Sequence, residues 1–391
     1  MKKFKTYFLI TTISLIVTIY LFEGYLNINS SLRQVSTKKK ENILYKKNMK
    51  YDSRTKLKIY KDLKLKNKNV TVTISPSTFN DPQKKLHFLA GKSKSYTIGC
   101  NENGYYSSYT SDRFGFNNLD HLWDLKKIEY LIVGDSFAHG ACVNRPKEIS
   151  SVLQKISNKP AINLGYAANG PLSMLASLKE YSQMNFKNLI WLYFEGNDLA
   201  ELSRELKTEI LKNYYFMNNF NQNLTSKQSY IDNQIDNILL RSITLQDQIL
   251  SEANKNSIIK YKILKFIRLD KSKKKFKLIF SKKNLNITPI KEFKKVLILG
   301  KKIANKKNAN FYFVYLPQYE RYKNRIPKNQ DKYDDIKKIV NELDIQFIDL
   351  HEEVFKKEKD PTNLFPFKMW GHYNELGYKK ISERIYKNLS K

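Results

Sequence analysis

The residues best placed to do chemistry are Gly134-Asp135-Ser136, which close the aliphatic run Leu131-Ile132-Val133. Such a run reads as a buried strand, and Gly134 lets the chain turn where a helix must begin. Ser136 then stands at the carboxyl end of a strand, the edge of an open α/β sheet where ligands collect. Attack of a hydroxyl on an ester puts negative charge on the carbonyl oxygen, and amide donors at the start of a helix can stabilise it. A Gly-Asp-Ser turn alone is common, so its weight depends on what accompanies it.

Two further strands end in the same manner. Residues 160–164 read as a short buried strand leading into Gly165-Tyr166-Ala167-Ala168-Asn169-Gly170-Pro171, and residues 188–194 end in Glu195-Gly196-Asn197-Asp198. In a parallel sheet all three loops open on one edge. Gly165 can bring its backbone N–H close to a substrate, Asn197 offers a side-chain amide, and the Ser136 N–H is a third donor. Ordinary turn chemistry explains each of them singly: positive φ for Gly165, an Asx turn or helix cap for Asn197.

A serine hydroxyl is a poor nucleophile until a base takes its proton. Of the five histidines, His87 and His121 have no supporting pattern, His351 follows a strand over 345–350, and His139 lies one helical turn after Ser136. A base normally arrives from a separate loop. His372, in Met369-Trp370-Gly371-His372-Tyr373-Asn374-Glu375-Leu376-Gly377-Tyr378 before a terminal helix, is the best candidate.

These residues need a scaffold, and the spacing predicts one. Ile149, Val152, Leu153 and Ile156 repeat at helical spacing; so do Ile336, Ile339, Val340 and Leu343. Residues 311–316 and 345–350 read as further strands. Between about 199 and 308 the chain leaves the strand–helix alternation as a helical insertion, and the helical spacing within residues 201–258 suggests a hairpin over the site. Residues 70–127 form a β-rich lead-in to the main domain of 128–391, and 26–69 read as a polar linker or juxtamembrane segment.

Residues 1–25 bear on location. Lys2, Lys3 and Lys5 precede an uncharged apolar run over 7–22, near the short end of the roughly 17–25 residues that cross a bilayer. Positive charge before it places the N-terminus inside and the main domain outside. A cleavable signal peptide looks similar, but small residues at a cleavage site are lacking, which favours an uncleaved anchor with an extracytoplasmic domain, periplasmic in a Gram-negative cell. In an oxidising compartment, Cys100 and Cys142, the only two cysteines, are a natural disulfide pair that would pin the lead-in beside Ser136; two unrelated buried thiols are the alternative.

The 391 residues are 41% hydrophobic, enough for a substantial core, and Lys+Arg 70 against Asp+Glu 37 gives a net charge of +33. The lysines are scattered, with no arginine stripe, zinc-ligand spacing or nucleic-acid motif, so compositional bias explains them better than a nucleic-acid partner. A cluster at Lys271, Lys273, Lys274 and Lys275 could meet anionic headgroups or an acidic glycan; a solvated face explains it more simply.

Taken in order, Gly134-Asp135-Ser136, Gly165, Gly196-Asn197-Asp198 and Gly371-His372 resemble the SGNH (GDSL-like) hydrolase superfamily over roughly residues 128–385. The resemblance implies a flavodoxin-like three-layer α/β/α sandwich with a parallel sheet, Ser136 as nucleophile, His372 as base, and Ser136, Gly165 and Asn197 as oxyanion-hole residues. It calls for no cofactor or metal. The anchor and the Gly-His-Tyr-Asn-Glu-Leu-Gly-Tyr loop are similar to the alginate O-acetyltransferase-like branch, which implies ester hydrolysis or O-acyl transfer on an extracytoplasmic glycan or acyl ester. The family usually carries an Asp two or three residues before the histidine, where this chain has Trp370 and Met369. Three readings follow: a dyad whose ring is held by a backbone carbonyl, a carboxylate from elsewhere such as Asp349 or Asp360, or an inactive glycan-binding or scaffold protein. The Gly-x-Ser-x-Gly elbow of α/β-hydrolases is absent, because Ala138 takes its last position.

Overall fold

The computed structural model describes residues 2–46, 48–76, 86–251, 263–273, 289–323 and 332–390. They divide into two compact units, one of residues 1–53 and 240–287, the other of residues 54–239 and 288–391.

The first unit contains a continuous helix, Lys2–Lys46. It runs through the boundary expected at residues 25–26, so the apolar segment and the start of the polar one form a single rod. Residues 3–27 are long and apolar enough to cross a membrane. At the end of that stretch Glu23 accepts hydrogen bonds from the backbone N–H groups of Lys271 at 3.1 Å and Ser272 at 2.7 Å. Lys274 and Lys275 of the expected basic cluster lie outside the described residues.

The second unit carries a parallel five-stranded sheet: β4 (Lys127–Val133), β5 (Ala161–Asn163), β6 (Asn185–Phe194), β7 (Asn310–Leu316) and β8 (Gln346–Asp349). Their spatial order is β5-β4-β6-β7-β8. Renumbered by chain order this is 2-1-3-4-5, the flavodoxin-like arrangement, whose switch point lies beside the first strand. Ser136 follows that strand directly.

Period-two alternation divides the sheet between two cores. Leu189, Trp191 and Tyr193 of β6 face one, with the helices Pro171–Tyr181, Ile290–Lys306 and Tyr333–Glu342. Ile190 and Leu192 face the other, with the helices Ile149–Ser157 and Glu375–Leu389. The result is three layers, helices over both faces of a buried parallel sheet.

The lead-in forms a smaller sheet from β1 (Val70–Val72), β2 (Tyr96–Ile98) and β3 (Ser108–Thr110), with β1 and β2 parallel and β2 and β3 antiparallel. It follows a short helix, Lys56–Lys64. The stretch from 199 to 308 is divided: residues up to 239 and from 288 belong to the α/β unit, and 240–287 cluster with the N-terminal helix. The part of the expected hairpin that belongs to the α/β unit, residues 201–239, does not line the cavity at Ser136. Residues 252–258, at the end of that expected hairpin, lie outside the described residues.

Candidate active site

Asp135 caps the short helix Ser136–His139, its Oδ1 accepting the Phe137 N–H at 2.8 Å. This fixes the turn and presents Ser136 at the carboxyl edge of β4. The Ser136 N–H begins the helix and has no protein acceptor among the described residues, as expected of the first turn.

His372 arrives from the far end of the chain, just before the helix Glu375–Leu389, whose start Asn374 caps by accepting the Gly377 N–H at 2.9 Å. Its Nε2 lies 2.9 Å from Ser136 Oγ. The ring packs on Phe137 with centroids 4.7 Å apart. Its other nitrogen, Nδ1, lies 3.2 Å from both carboxylate oxygens of Glu102, and the His372 backbone N–H donates to Glu102 Oε2 at 2.6 Å. Ser136, His372 and Glu102 therefore form a continuous hydrogen-bonded chain with the polarity of a catalytic triad.

This corrects the expected source of the carboxylate. Asp349 bonds the Tyr333 hydroxyl and caps the next helix through the Glu352 N–H at 3.2 Å. Asp360 caps Thr362 and pairs with Lys368 at 2.8 Å. Neither hydrogen-bonds His372. Glu102 lies in the loop between β2 and β3, and Cys100, two residues earlier, is disulfide-bonded to Cys142. Cys142 follows Ser136 by six residues, so the bridge ties the Glu102 loop to the segment that carries the serine. Asn103 adds a second tie, donating its side-chain amide to the Cys142 carbonyl at 2.9 Å. Gly371 completes the arrangement: a Cβ there would sit 2.5 Å from Glu102 Oε2, so a side chain at 371 would push the carboxylate from its place.

The signal for Glu102 was present but indirect. Its position beside a cysteine, in a chain with one other cysteine close to the serine, links the two segments without identifying which lead-in residue reaches the ring.

The cavity over Ser136 has a volume of about 520 Å³. Asn197 lines it; its side chain makes no capping bond at the start of the helix Asp198–Glu205, and its amide lies close enough to the Asp135 carboxylate to help lower that group's pKa. Gly165 does not line it. Its N–H donates to Asn163 Oδ1 at 2.8 Å, and the space beside its Cα is filled by the Ala138 side chain, 2.4 Å from where a Cβ would lie. The absence of a side chain at 165 serves close packing, and Ala167 and Ala168 of the same loop line the cavity in its place.

Glu195 neither lines the cavity nor caps a helix. It is buried in an ion pair with Arg321, and it accepts the Gln318 N–H at 2.7 Å. His139 lines the cavity beside Tyr109 and Tyr166, and burial pushes its pKa down to about 3, so the ring is neutral. Burial pushes the Asp135 carboxyl up to about 6, against the opposing pull of the Phe137 N–H and of His372. Cys100, Cys142 and His372 are the one cluster of metal-ligating types among the described residues, but both sulfurs are consumed in the disulfide, so the set does not suit a metal ion.

No protein-family model and no curated protein matches the chain. Solved structures that align with it include a G-D-S-L family protein from Desulfitobacterium hafniense DCB-2, at 12% identity over 67% of this chain and 99% of that one, with a TM-score of 0.36. A member of the lipolytic protein G-D-S-L family from Veillonella parvula DSM 2008 aligns at 12% identity over 67% and 98%, with a TM-score of 0.35. A lipase/acylhydrolase from Enterococcus faecalis aligns at 11% over 67% and 95%, with a TM-score of 0.37. None of these likenesses bears on the chemistry of this chain.

Proposed function

We propose that this protein is a serine-dependent ester hydrolase or O-acyl transferase working through an acyl-enzyme on Ser136. The observation that carries the reading is the Ser136–His372–Glu102 chain, with 2.9 Å between Oγ and Nε2 and 3.2 Å between Nδ1 and the carboxylate. His372 Nε2 takes the hydroxyl proton as Oγ attacks the ester carbonyl. The Ser136 N–H and the Asn197 amide are the donors for the resulting oxyanion. Collapse of the intermediate breaks the bond to the alcohol, which leaves with the proton from His372. Water or an acceptor hydroxyl then gives its proton to the same nitrogen and attacks the acyl group, which restores free Ser136. Glu102 keeps the Nδ1 proton in place and stabilises the imidazolium.

The inactive scaffold reading drew its force from Trp370 and Met369 standing where an acid was expected, and Glu102 removes that motive. The membrane helix, with lysines before it and the bulk of the chain after it, supports an extracytoplasmic domain acting on a glycan or other acyl ester, as in the alginate O-acetyltransferase-like branch that the loop around His372 resembles. No nucleic-acid partner belongs to this reading. Full-length protein in detergent is expected to release p-nitrophenol from p-nitrophenyl acetate, and to lose that turnover in S136A. Product release equal to the buffer blank in both would overturn it. Addition of glycan acceptors separates the two reactions: a transferase speeds up and acetylates the acceptor, a hydrolase does neither. Protease treatment of intact cells tests location, with digestion of the main domain expected and protection contradicting it.

A further inference from the structure

The cavity at Ser136 is lined in part by residues that precede the main domain, among them a cation that the serine chemistry does not use. Lys56 lines this cavity together with Thr73, Ser75 and Tyr109. It is half-buried, and no carboxylate or other partner meets it among the described residues. Burial lowers its pKa, with no acid nearby to offset that effect.

Its place in the fold compounds the cost. Lys56 is the first residue of the helix Lys56–Lys64, whose first turn contains no acidic residue. A helix start carries partial positive charge, so a lysine there is repelled where Asp or Glu would be stabilised. A residue that breaks a local preference and is also partly desolvated without a counter-ion is typical of a functional position. Among the described residues that line the cavity, Glu320, which follows β7 with Gln318 and Tyr319, is the one carboxylate.

We infer that the ester substrate is an anion: it carries a carboxylate or phosphate group that binds Lys56 while its acyl ester faces Ser136. This deepens the proposed function and rests on it for the ester, but not for the anion site. A half-desolvated ammonium selects for negative charge because a neutral group leaves it unpaired. Trp370, about two-thirds exposed where it lines the same cavity, offers a ring face for the sugar of an anionic saccharide.

The test compares esters that differ only in charge. Full-length protein in detergent is assayed on the O-acetylated methyl glycoside of glucuronic acid, on that of glucose, and on O-acetylated glucose 6-phosphate. At least one of the two anions is expected to exceed the neutral ester in kcat/KM by about tenfold or more. That ratio should fall toward one in K56Q, persist in K56R, and shrink as salt is raised. Preference for the uronate identifies a carboxylate, and preference for the phosphate ester a phosphate. A wild-type ratio near one for both anions, or a ratio unchanged in K56Q, would overturn the inference. Calorimetric binding of glucuronate, glucose 6-phosphate and glucose to the S136A protein gives a second readout that needs no turnover. If no ester is cleaved, the proposed chemistry fails, while Lys56-dependent binding of an anionic sugar, or its absence, still decides the anion site.

Discussion

Glu102 grips His372 at two points: Oε2 accepts the backbone N–H at 2.6 Å, and both carboxylate oxygens stand 3.2 Å from Nδ1. The two residues are 270 positions apart in sequence. One carboxylate therefore fixes both the loop and the ring it carries, and its loss should disturb catalysis more than stability.

E102A is expected to lower kcat by about 10²–10⁴ with little change in KM, as when a triad loses its acid. E102Q, which keeps an acceptor but loses the charge, should fall between. G371A should lower kcat in the same direction as E102A but by less, because its Cβ would crowd Oε2 and shift the carboxylate without removing it. Steady-state kinetics on p-nitrophenyl acetate, with circular dichroism to check folding, decides this; wild-type kcat in E102A would contradict it.

The Cys100–Cys142 bridge spans a sequence separation of 42. Replacing both cysteines by alanine should cost about 4 kcal/mol on the chain-entropy account, read from urea unfolding. It should also lower kcat, by freeing the loop that bears Glu102. In a double-mutant cycle the kcat losses of this variant and E102A should be far less than additive. Full additivity would mean that the bridge does not act through Glu102.

Asp135 supplies a prediction in pH. Burial raises its folded-state pKa to about 6, from an ordinary 3.8. Between about pH 4 and pH 6 the folded protein holds a proton that the unfolded chain has released, so this group's contribution to stability falls as pH rises through that window and is level above it. The slope is at most about 1.4 kcal/mol per pH unit. D135N has no such proton, so its stability relative to wild type should climb across the window. Unfolding of both proteins at matched pH cancels the titrating groups that do not interact with Asp135, and a constant difference would refute the assignment.

Glu195 and Arg321 form an ion pair whose side chains are 1% and 8% exposed. R321A leaves a buried carboxylate without its counter-ion and should cost about 3–5 kcal/mol, whereas joint replacement by E195L and R321M should be much milder. Equal losses in the two variants, measured by urea unfolding, would show that packing rather than charge sets the cost.

The scaffold was legible because its strands are apolar runs, three of them (β4, β5 and β6) closed by a glycine-bearing loop and two (β7 and β8) marked by the run alone. Leu131–Val133 and the run over 188–194 both lie in strands of the parallel sheet. Gly165 was given a role it does not fill and Glu102 was missed, each for a physical reason. Gly165 had the right type and position for a donor, yet its missing side chain accommodates Ala138. Glu102 carried no local pattern, because a carboxylate that acts across a tertiary contact is constrained by the partner it reaches and not by its sequence neighbours. Spacing along the chain locates groups that share a loop or a strand end; it does not locate one delivered by a disulfide-tied hairpin.

The most direct test of the account is to capture the acyl-enzyme. Full-length protein is mixed with p-nitrophenyl acetate, quenched in acid within the first turnover, and digested for mass spectrometry, alongside S136A and H372A. The account predicts an acetyl group on the peptide bearing Ser136 in wild type, much slower acetylation in H372A, and none at that peptide in S136A. A fluorophosphonate should label the same serine. An unmodified Ser136 with both reagents, in protein shown to be folded, would contradict the account.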